Sequence, residues 1–343
     1  MKNYLILGVA IGLISGAANA TKARMSALGQ TYGAKSLGSF YLEDNRNIWR
    51  SAGAVSDLGN HMTFEHGTNY LAADGVTTQV ATAEGGVFTM MGSHQVGLYI
   101  NGNQNNAAWG NELGNGPAQP GRVDLFLGKS SFYDLGLRLG YAKINHEGLD
   151  TESSGIDFSV SGSLGGVNLW LNYVPALEST VAGVDIENDA DMNLGFTYDV
   201  GHYKVFAEYE EEGNTKAVDS DTSMVVGLAR VYTHDDHTSF FDLKVVSTED
   251  SSGNSFQNIP LTFGIEAKAT DWLLWRLSIA QDLMDDGDDN VSARTTRIGA
   301  GAALTYGEMT IEGSLTNVDN TAAANTRLGT GQLLSNVSVT YQW

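Results

Sequence analysis

Few residues in this chain have types and spacings that suggest local chemistry. His234-Asp235-Asp236-His237 puts two imidazoles and two carboxylates within four positions, enough to ligate a metal. It lies on a tight connection, however, and reads as a solvated polar turn. Asp285-Asp286-Gly287-Asp288-Asp289 lacks the ligand spacing of a calcium loop. It reads as an exposed acidic loop, with bridging to lipopolysaccharide through divalent ions as the alternative. Gly29-Gln30-Thr31-Tyr32-Gly33-Ala34-Lys35-Ser36 has the outline of a phosphate-binding loop, but alanine replaces the second glycine and no buried strand precedes it. With no cysteine in the chain, a thiolate site and a cysteine nucleophile are excluded. No serine, histidine and acid share a defensible spacing. The expectation is no enzyme, no cofactor and no metal.

The informative charges are instead dispersed, each on the polar side of an alternating stretch. Acids are Asp124, Asp157, Glu208, Glu210, Asp242, Glu266 and Glu312; bases are Arg138, Lys204, Lys244, Lys268, Arg276 and Arg297. Seven acids against six bases, facing one enclosed space, would cost several kcal/mol per unpaired ion if that space were dry. A wetted, pore-like lining is therefore expected. Arg46 and Arg50, in the basic stretch Asn45-Arg46-Asn47-Ile48-Trp49-Arg50, are candidates for a constriction.

Period-two strands must position these charges. Val167, Leu169, Leu171 and Tyr173 alternate with Asn168, Trp170 and Asn172, and Val337-Ser338-Val339-Thr340-Tyr341-Gln342-Trp343 alternates up to the last residue. The pattern predicts sixteen strands, with fourteen as the alternative, near 60–66, 85–92, 95–101, 122–129, 134–145, 156–163, 167–174, 191–199, 202–211, 222–232, 239–247, 258–268, 272–281, 295–305, 309–317 and 334–343. Their lengths bracket the roughly 9–11 residues of a tilted membrane strand. Tight connections (Gly165-Gly166, Val200-Gly201, Thr270-Asp271, Gly307-Glu308) alternate with long ones near 102–121, 175–190, 282–294 and 318–333. Bacterial barrels alternate short periplasmic turns with long external loops in this way. A soluble sandwich would bury its apolar faces and would not require it. The expected fold is all-β, a transmembrane antiparallel outer-membrane barrel over 60–343. Sixteen strands leave an aqueous channel, where eight are filled by side chains.

Composition agrees. The 343 residues are 42% apolar, with 41 glycines, 4 prolines and a net charge of −21, which sets nucleic acid aside. Lys2, the apolar stretch Leu5 to Ile14 and Ala18-Asn19-Ala20 read as a signal peptide over 1–20. Residues 21–59 form an N-terminal periplasmic or luminal segment, in which constriction and plain packing both stay open. Tyr173, Tyr198, Trp272, Trp275, Tyr341 and Trp343, near strand ends, suit membrane-interface girdles.

Thr21-Lys22-Ala23-Arg24-Met25-Ser26-Ala27-Leu28-Gly29, followed by Asp44-Asn45-Arg46-Asn47-Ile48-Trp49-Arg50-Ser51-Ala52, resembles the N-terminus of porin-like major outer-membrane proteins of predatory bacteria and their deltaproteobacterial relatives. That family's second segment more often ends in Asn-Pro-Ala, where this chain has Arg50-Ser51-Ala52. The resemblance implies an abundant homo-oligomer, a ring such as a pentamer, whose subunits enclose lipid. The expected function is passive diffusion of small hydrophilic solutes, with a mixed lining and an acidic rim. The alternative is a structural oligomer that organises lipid with little conduction. Expected partners are outer-membrane lipid, lipopolysaccharide, further copies of the chain, and the barrel-assembly machinery through the C-terminal strand.

Overall fold

The computed structural model describes residues 21–30, 37–73, 76–102, 121–129, 134–146, 151–181, 184–213, 220–285, 296–317 and 333–343. The expected signal peptide, residues 31–36 of the glycine-containing stretch and residues 286–289 of the acidic loop lie outside them.

After a short helix α1 (Lys22–Ala27) and two 3-10 turns, η1 (Asn45–Trp49) and η2 (Ala52–Asp57), the rest is strand. In chain order these are β1 (His61–Ala73), β2 (Val76–Met91), β3 (His94–Ile100), β4 (Gly121–Lys129), β5 (Leu135–His146), β6 (Thr151–Leu164), β7 (Val167–Val174), β8 (Leu177–Val181) and β9 (Val184–Asn188). There follow β10 (Asp191–Val200), β11 (Tyr203–Glu212), β12 (Asp221–Thr233), β13 (His237–Glu249), β14 (Ser255–Lys268), β15 (Leu273–Asp285), β16 (Thr296–Tyr306), β17 (Met309–Asn317) and β18 (Leu333–Gln342). All pairings are antiparallel, and all join chain neighbours except that β7 pairs directly with β10, β6 touches β8, and β1 closes on β18 from His61↔Gln342 to Gly67↔Asn336. Sixteen strands therefore form a closed barrel. The remaining two, β8 and β9, make a hairpin in the connection read as a plain long loop, and β8 meets β6 at Glu152↔Thr180.

The sequence alternation is realised as two faces. Along β4, Val123, Leu125 and Leu127 are exposed on the outside while Arg122, Asp124 and Phe126 are buried within. The same outward apolar exposure runs through Leu137 and Leu139 on β5, Leu277 and Ile279 on β15, and Val337 on β18. Closure leaves no sheet edge, which is what hydrocarbon requires of a strand-built wall. At the tight end, Gly165, Gly166, Gly201 and Gly307 hold φ between 60° and 84°, a left-handed backbone that side-chain-bearing residues rarely adopt.

Two differences from the sequence expectation have simple causes. β1 and β2 extend past the predicted 60–66 and 85–92, because Ala72↔Thr77 and Ala73↔Val76 continue their pairing as a two-stranded ribbon beyond the last β18 partner, Gly67. A ribbon with both faces outside the wall has no reason to alternate. The turn after β10 is centred on Gly201-His202, one position beyond Val200-Gly201.

If the outer face meets lipid, Leu125→Arg, mid-way along β4, should cost about 2–4 kcal/mol. Denaturant titration of protein folded into phospholipid vesicles measures this, and an unchanged midpoint would show that the face is not in hydrocarbon.

Candidate functional site

The site is the barrel interior, and the chain's own N-terminal segment occupies it. Thr21 caps α1, accepting from the Arg24 backbone N–H at 3.3 Å, and its hydroxyl donates to Glu312 on β17 at 2.5 Å. Every residue of α1 is buried. Asp44 caps η1 by accepting from the Arg46 backbone N–H at 2.7 Å. From these short elements two apolar sets reach the wall. Met25, Leu28, Tyr41 and Leu42 pack on Phe206, Ala229 and Phe240 of β11–β13. Ile48, Trp49, Val55 and Leu58 pack on Phe88, Tyr99 and Phe126 of β2–β4.

Between the apolar contacts lie ion pairs. Lys22 Nζ is 3.0 Å from Glu84; Arg24 holds Glu266 through Nε at 2.8 Å and Nη2 at 3.1 Å. Arg46 bridges Glu84 and Glu65, the latter at 3.1 Å, and Arg50 Nε meets Glu208 at 3.0 Å. Arg50 also lies over the Phe40 ring at 3.8 Å, while Phe206 stacks on that ring at 4.3 Å. Further pairs brace the wall itself: Arg122 with Asp124 and Asp157, Arg138 with Asp157, and Arg276 with Glu266 and Glu312. Tyr41 donates its hydroxyl to Asp242, and burial with that carboxylate holds the phenol well above its usual range.

The expectation of a wetted lining is thereby corrected. Asp124, Arg138, Asp157, Glu208, Asp242, Lys244, Glu266, Arg276 and Glu312 all sit on the inner face, but they are buried against the segment and one another. Glu210, Lys204 and Arg297 are half-buried, Lys204 pairing with Asp199 and Arg297 with Asp282. Lys268 is 40% exposed at the tight-turn end beside Asp271. Its parity is inward, but it stands at the rim, where strand period says nothing of depth. Arg46 and Arg50 do lie in the lumen, clamped to wall carboxylates.

Lys22, Arg24, Glu65, Glu84 and Arg122 were not anticipated. Arg122 shares the parity of Asp124, and Glu65 that of Thr63, so face assignment carried to the strand ends would have found both. Lys22 and Arg24 sit in a segment without strand periodicity and give no such signal.

His234 and His237 stack at 4.9 Å on the turn between β12 and β13, and no cluster of three or more metal-ligating side chains is present among the described residues. On the outer surface Tyr198, Trp272, Trp275, Tyr341 and Trp343 are exposed towards the tight-turn end, while Tyr173 lies at the far end of β7 against Phe158.

No protein-family model matches the chain, and no curated protein does. Solved structures do. A bacterial polysaccharide outer membrane secretin aligns over 83% of this chain and 98% of its own, with a TM-score of 0.55 at 9% identity. The chain has the fold of outer-membrane β-barrels. A mutant of the Rh. blastica porin aligns over 83% of this chain and 99% of its own (TM-score 0.41, 12% identity), and the CymD monoaromatic hydrocarbon channel over 96% and 98% (TM-score 0.44, 10% identity). At these identities the shared property is the barrel architecture.

Burial pushes Asp44 from its ordinary 3.8 up to about 7, against the opposing pull of Arg24 and Arg46. An acid whose folded pKa is raised binds more protons folded than unfolded, so its contribution lowers stability as pH rises from 3.8 to about 7. Asp44→Asn keeps the capping acceptor and should flatten that part of the profile, leaving stability below pH 3.8 unchanged. Thermal unfolding in detergent between pH 3 and 8 measures it, and an unaltered slope would show that Asp44 does not titrate there.

Proposed function

We propose that the chain is a porin-like outer-membrane channel for small hydrophilic solutes, held closed by residues 21–30 and 37–58. One observation carries the reading: the segment's Lys22, Arg24, Arg46 and Arg50 are each met by a wall carboxylate, Glu84, Glu266, Glu65 or Glu208. The wall supplies acids that its own bases do not neutralise, and the segment brings the missing cations. With the segment displaced, those four acids would line a sixteen-strand lumen wide enough for water and would favour cations.

On this reading residues 1–20 are removed on export, and lipid and lipopolysaccharide contact the outer face. The aromatics Tyr173, Tyr198, Trp272, Trp275, Tyr341 and Trp343 anchor at the interfaces, and the C-terminal strand is what the assembly machinery engages. Homo-oligomer formation belongs to the same reading. A second reading, a structural oligomer that organises lipid and conducts little, is favoured by the two apolar clusters, which would resist withdrawal of the segment.

Planar-bilayer recordings separate the two. Wild-type protein should show small, infrequent steps, and the double variant Arg24→Ala/Arg46→Ala should raise mean conductance at least tenfold with cation preference. Large steady openings from the wild type would overturn closure by the segment, and silence from both proteins would support the structural reading.

A further inference from the structure

An arginine on the lipid side of a membrane wall is costly unless something there answers its charge. Along β12 the outward residues run Met224, Val226, Leu228, Arg230 and Tyr232 from the long-loop end to the tight turn at 234–236. Ala229 is fully buried in the lumen, so its neighbour Arg230 points outward, and the exposed apolar run of Met224, Val226 and Leu228 stops there. Lys204 pairs with Ala229, so Arg230 stands level with Tyr203, the first residue of β11. That is girdle depth. Among the described residues every other arginine lies inside the barrel against a carboxylate. Arg230 alone faces outward, and among those residues it meets no carboxylate.

Rings hold its guanidinium in place. The Cζ atom lies 4.3 Å from the centre of the Tyr232 ring and 5.2 Å from that of Tyr203, and Nη1 donates to the Tyr203 hydroxyl at 3.4 Å. Two π faces orient the planar group without neutralising it. Its remaining N–H donors have no partner among the described residues. The nearest acids along the chain, Asp235 and Asp236, sit in the turn beyond, where Asp236 is bonded to His237 at 2.7 Å. On its other side Arg230 pairs with Phe241 of β13, and the row continues outward-facing through Phe263 of β14 and Ile279 of β15. A fixed cation therefore stands beside a strip of uncovered apolar wall.

We infer that Arg230, with Tyr203 and Tyr232, binds the phosphodiester of a membrane phospholipid in the leaflet at the tight-turn end, its acyl chains lying along Phe241 and Phe263. A guanidinium presents paired N–H donors that match two phosphate oxygens, and the two phenol hydroxyls add donors beside it. The apolar strip selects a lipid over a free anion, which has no use for it. The depth agrees, since Arg230 lies where the aromatic girdle meets the headgroups. The inference rests on the outer face lying in a membrane, and not on whether the lumen conducts.

Native mass spectrometry of the full chain in a nonionic detergent, titrated with dioleoylphosphatidylglycerol, counts the lipids that stay bound. Arg230→Gln should weaken retention of the first lipid roughly fivefold, and Arg230→Lys by less, because an ammonium keeps the charge and loses the paired donors. Tyr232→Leu should weaken it about twofold by releasing the guanidinium. Lys129→Gln removes an exposed cation at the same end of the barrel, on β4, and should leave retention unchanged. Dioleoylglycerol, which lacks the phosphate, should not be retained, and millimolar inorganic phosphate should not displace the phospholipid. Unchanged retention in Arg230→Gln would overturn the site, as would an equal loss in Lys129→Gln, which would reduce it to general surface charge. Displacement by inorganic phosphate would make it an anion site and overturn the lipid. An oligomer that Arg230→Gln splits while lipid retention holds would assign the guanidinium to a carboxylate of a second copy instead. Heat-shifted migration in gels checks that each variant is a closed barrel; should Arg230→Gln fail to close, Arg230→Lys and Tyr232→Leu carry the same test. Since no conductance is read, a barrel silent in bilayers sinks the channel reading without touching this result.

Discussion

A backbone N–H or C=O left unpaired in hydrocarbon costs several kcal/mol, and a strand-built wall escapes that cost only by closing on itself. The pairing of β1 with β18 is where this chain meets the constraint. Closure fixes the rest in turn. Alternation then sends every second side chain outward, so Leu125, Leu137 and Leu277 stay uncovered and their polar neighbours are committed to a shared interior. Sixteen strands enclose more volume than wall side chains can fill. Something else must occupy it, whether water or polypeptide.

In this chain the occupant is polypeptide, and electrostatics dictates its composition. Removing one partner of a buried ion pair costs about 3–5 kcal/mol, since the other charge stays behind unanswered. A segment filling an acidic lumen must therefore carry bases where wall acids outnumber wall bases, as Lys22, Arg46 and Arg50 do beside Glu84, Glu65 and Glu208, and Arg24 beside Glu266, which shares the wall's Arg276 with Glu312. Apolar side chains between those bases exclude water and strengthen the pairs. Among its described residues the segment has little regular structure, one six-residue helix and two 3-10 turns, because its conformation answers to the wall more than to its own hydrogen bonds.

The barrel was legible in the sequence because a wall with hydrocarbon on one side enforces period two over each strand. Val167 to Val174 on β7 and Met309 to Asn317 on β17 were located to the residue. Where that constraint lapses, so does the signal. The ribbon beyond Gly67 has no β18 partner, and the β8–β9 hairpin is made of five-residue strands that meet the wall only at Glu152 and Ser153. Alternation says which way Asp124 or Glu266 points and nothing of what lies opposite. That depended on residues 21–30 and 37–58, whose bases look like ordinary surface charges until the fold brings Arg24 against a residue 242 positions away.

Rings and charges are not the only means by which the segment is fitted to the wall. Phe88, Tyr99 and Phe126 on one side and Phe206 and Phe240 on the other are large residues placed to meet Trp49 and Tyr41, which gives two dry contacts on separate arcs of the barrel. The arc between them carries Gly136, Ser159, Ser161, Asn168, Asn193, Gly195 and Thr197, small or polar residues beside Arg138, with one large apolar exception. There the segment's own backbone comes up to the wall: a Cβ on Gly136 would meet Gly53 N at 2.2 Å, Ser161 Oγ accepts from the Gly53 N–H at 2.5 Å, and Asn172 Nδ2 donates to the Arg50 carbonyl at 3.0 Å. The exception, Trp170, is tied to Asn193 by a single hydrogen bond. Packed on Gly195 and only 4% exposed, the indole is held by its neighbours as well as by that bond. Rings, ion pairs and backbone contacts thus divide the perimeter, and withdrawal of the segment has to break all three.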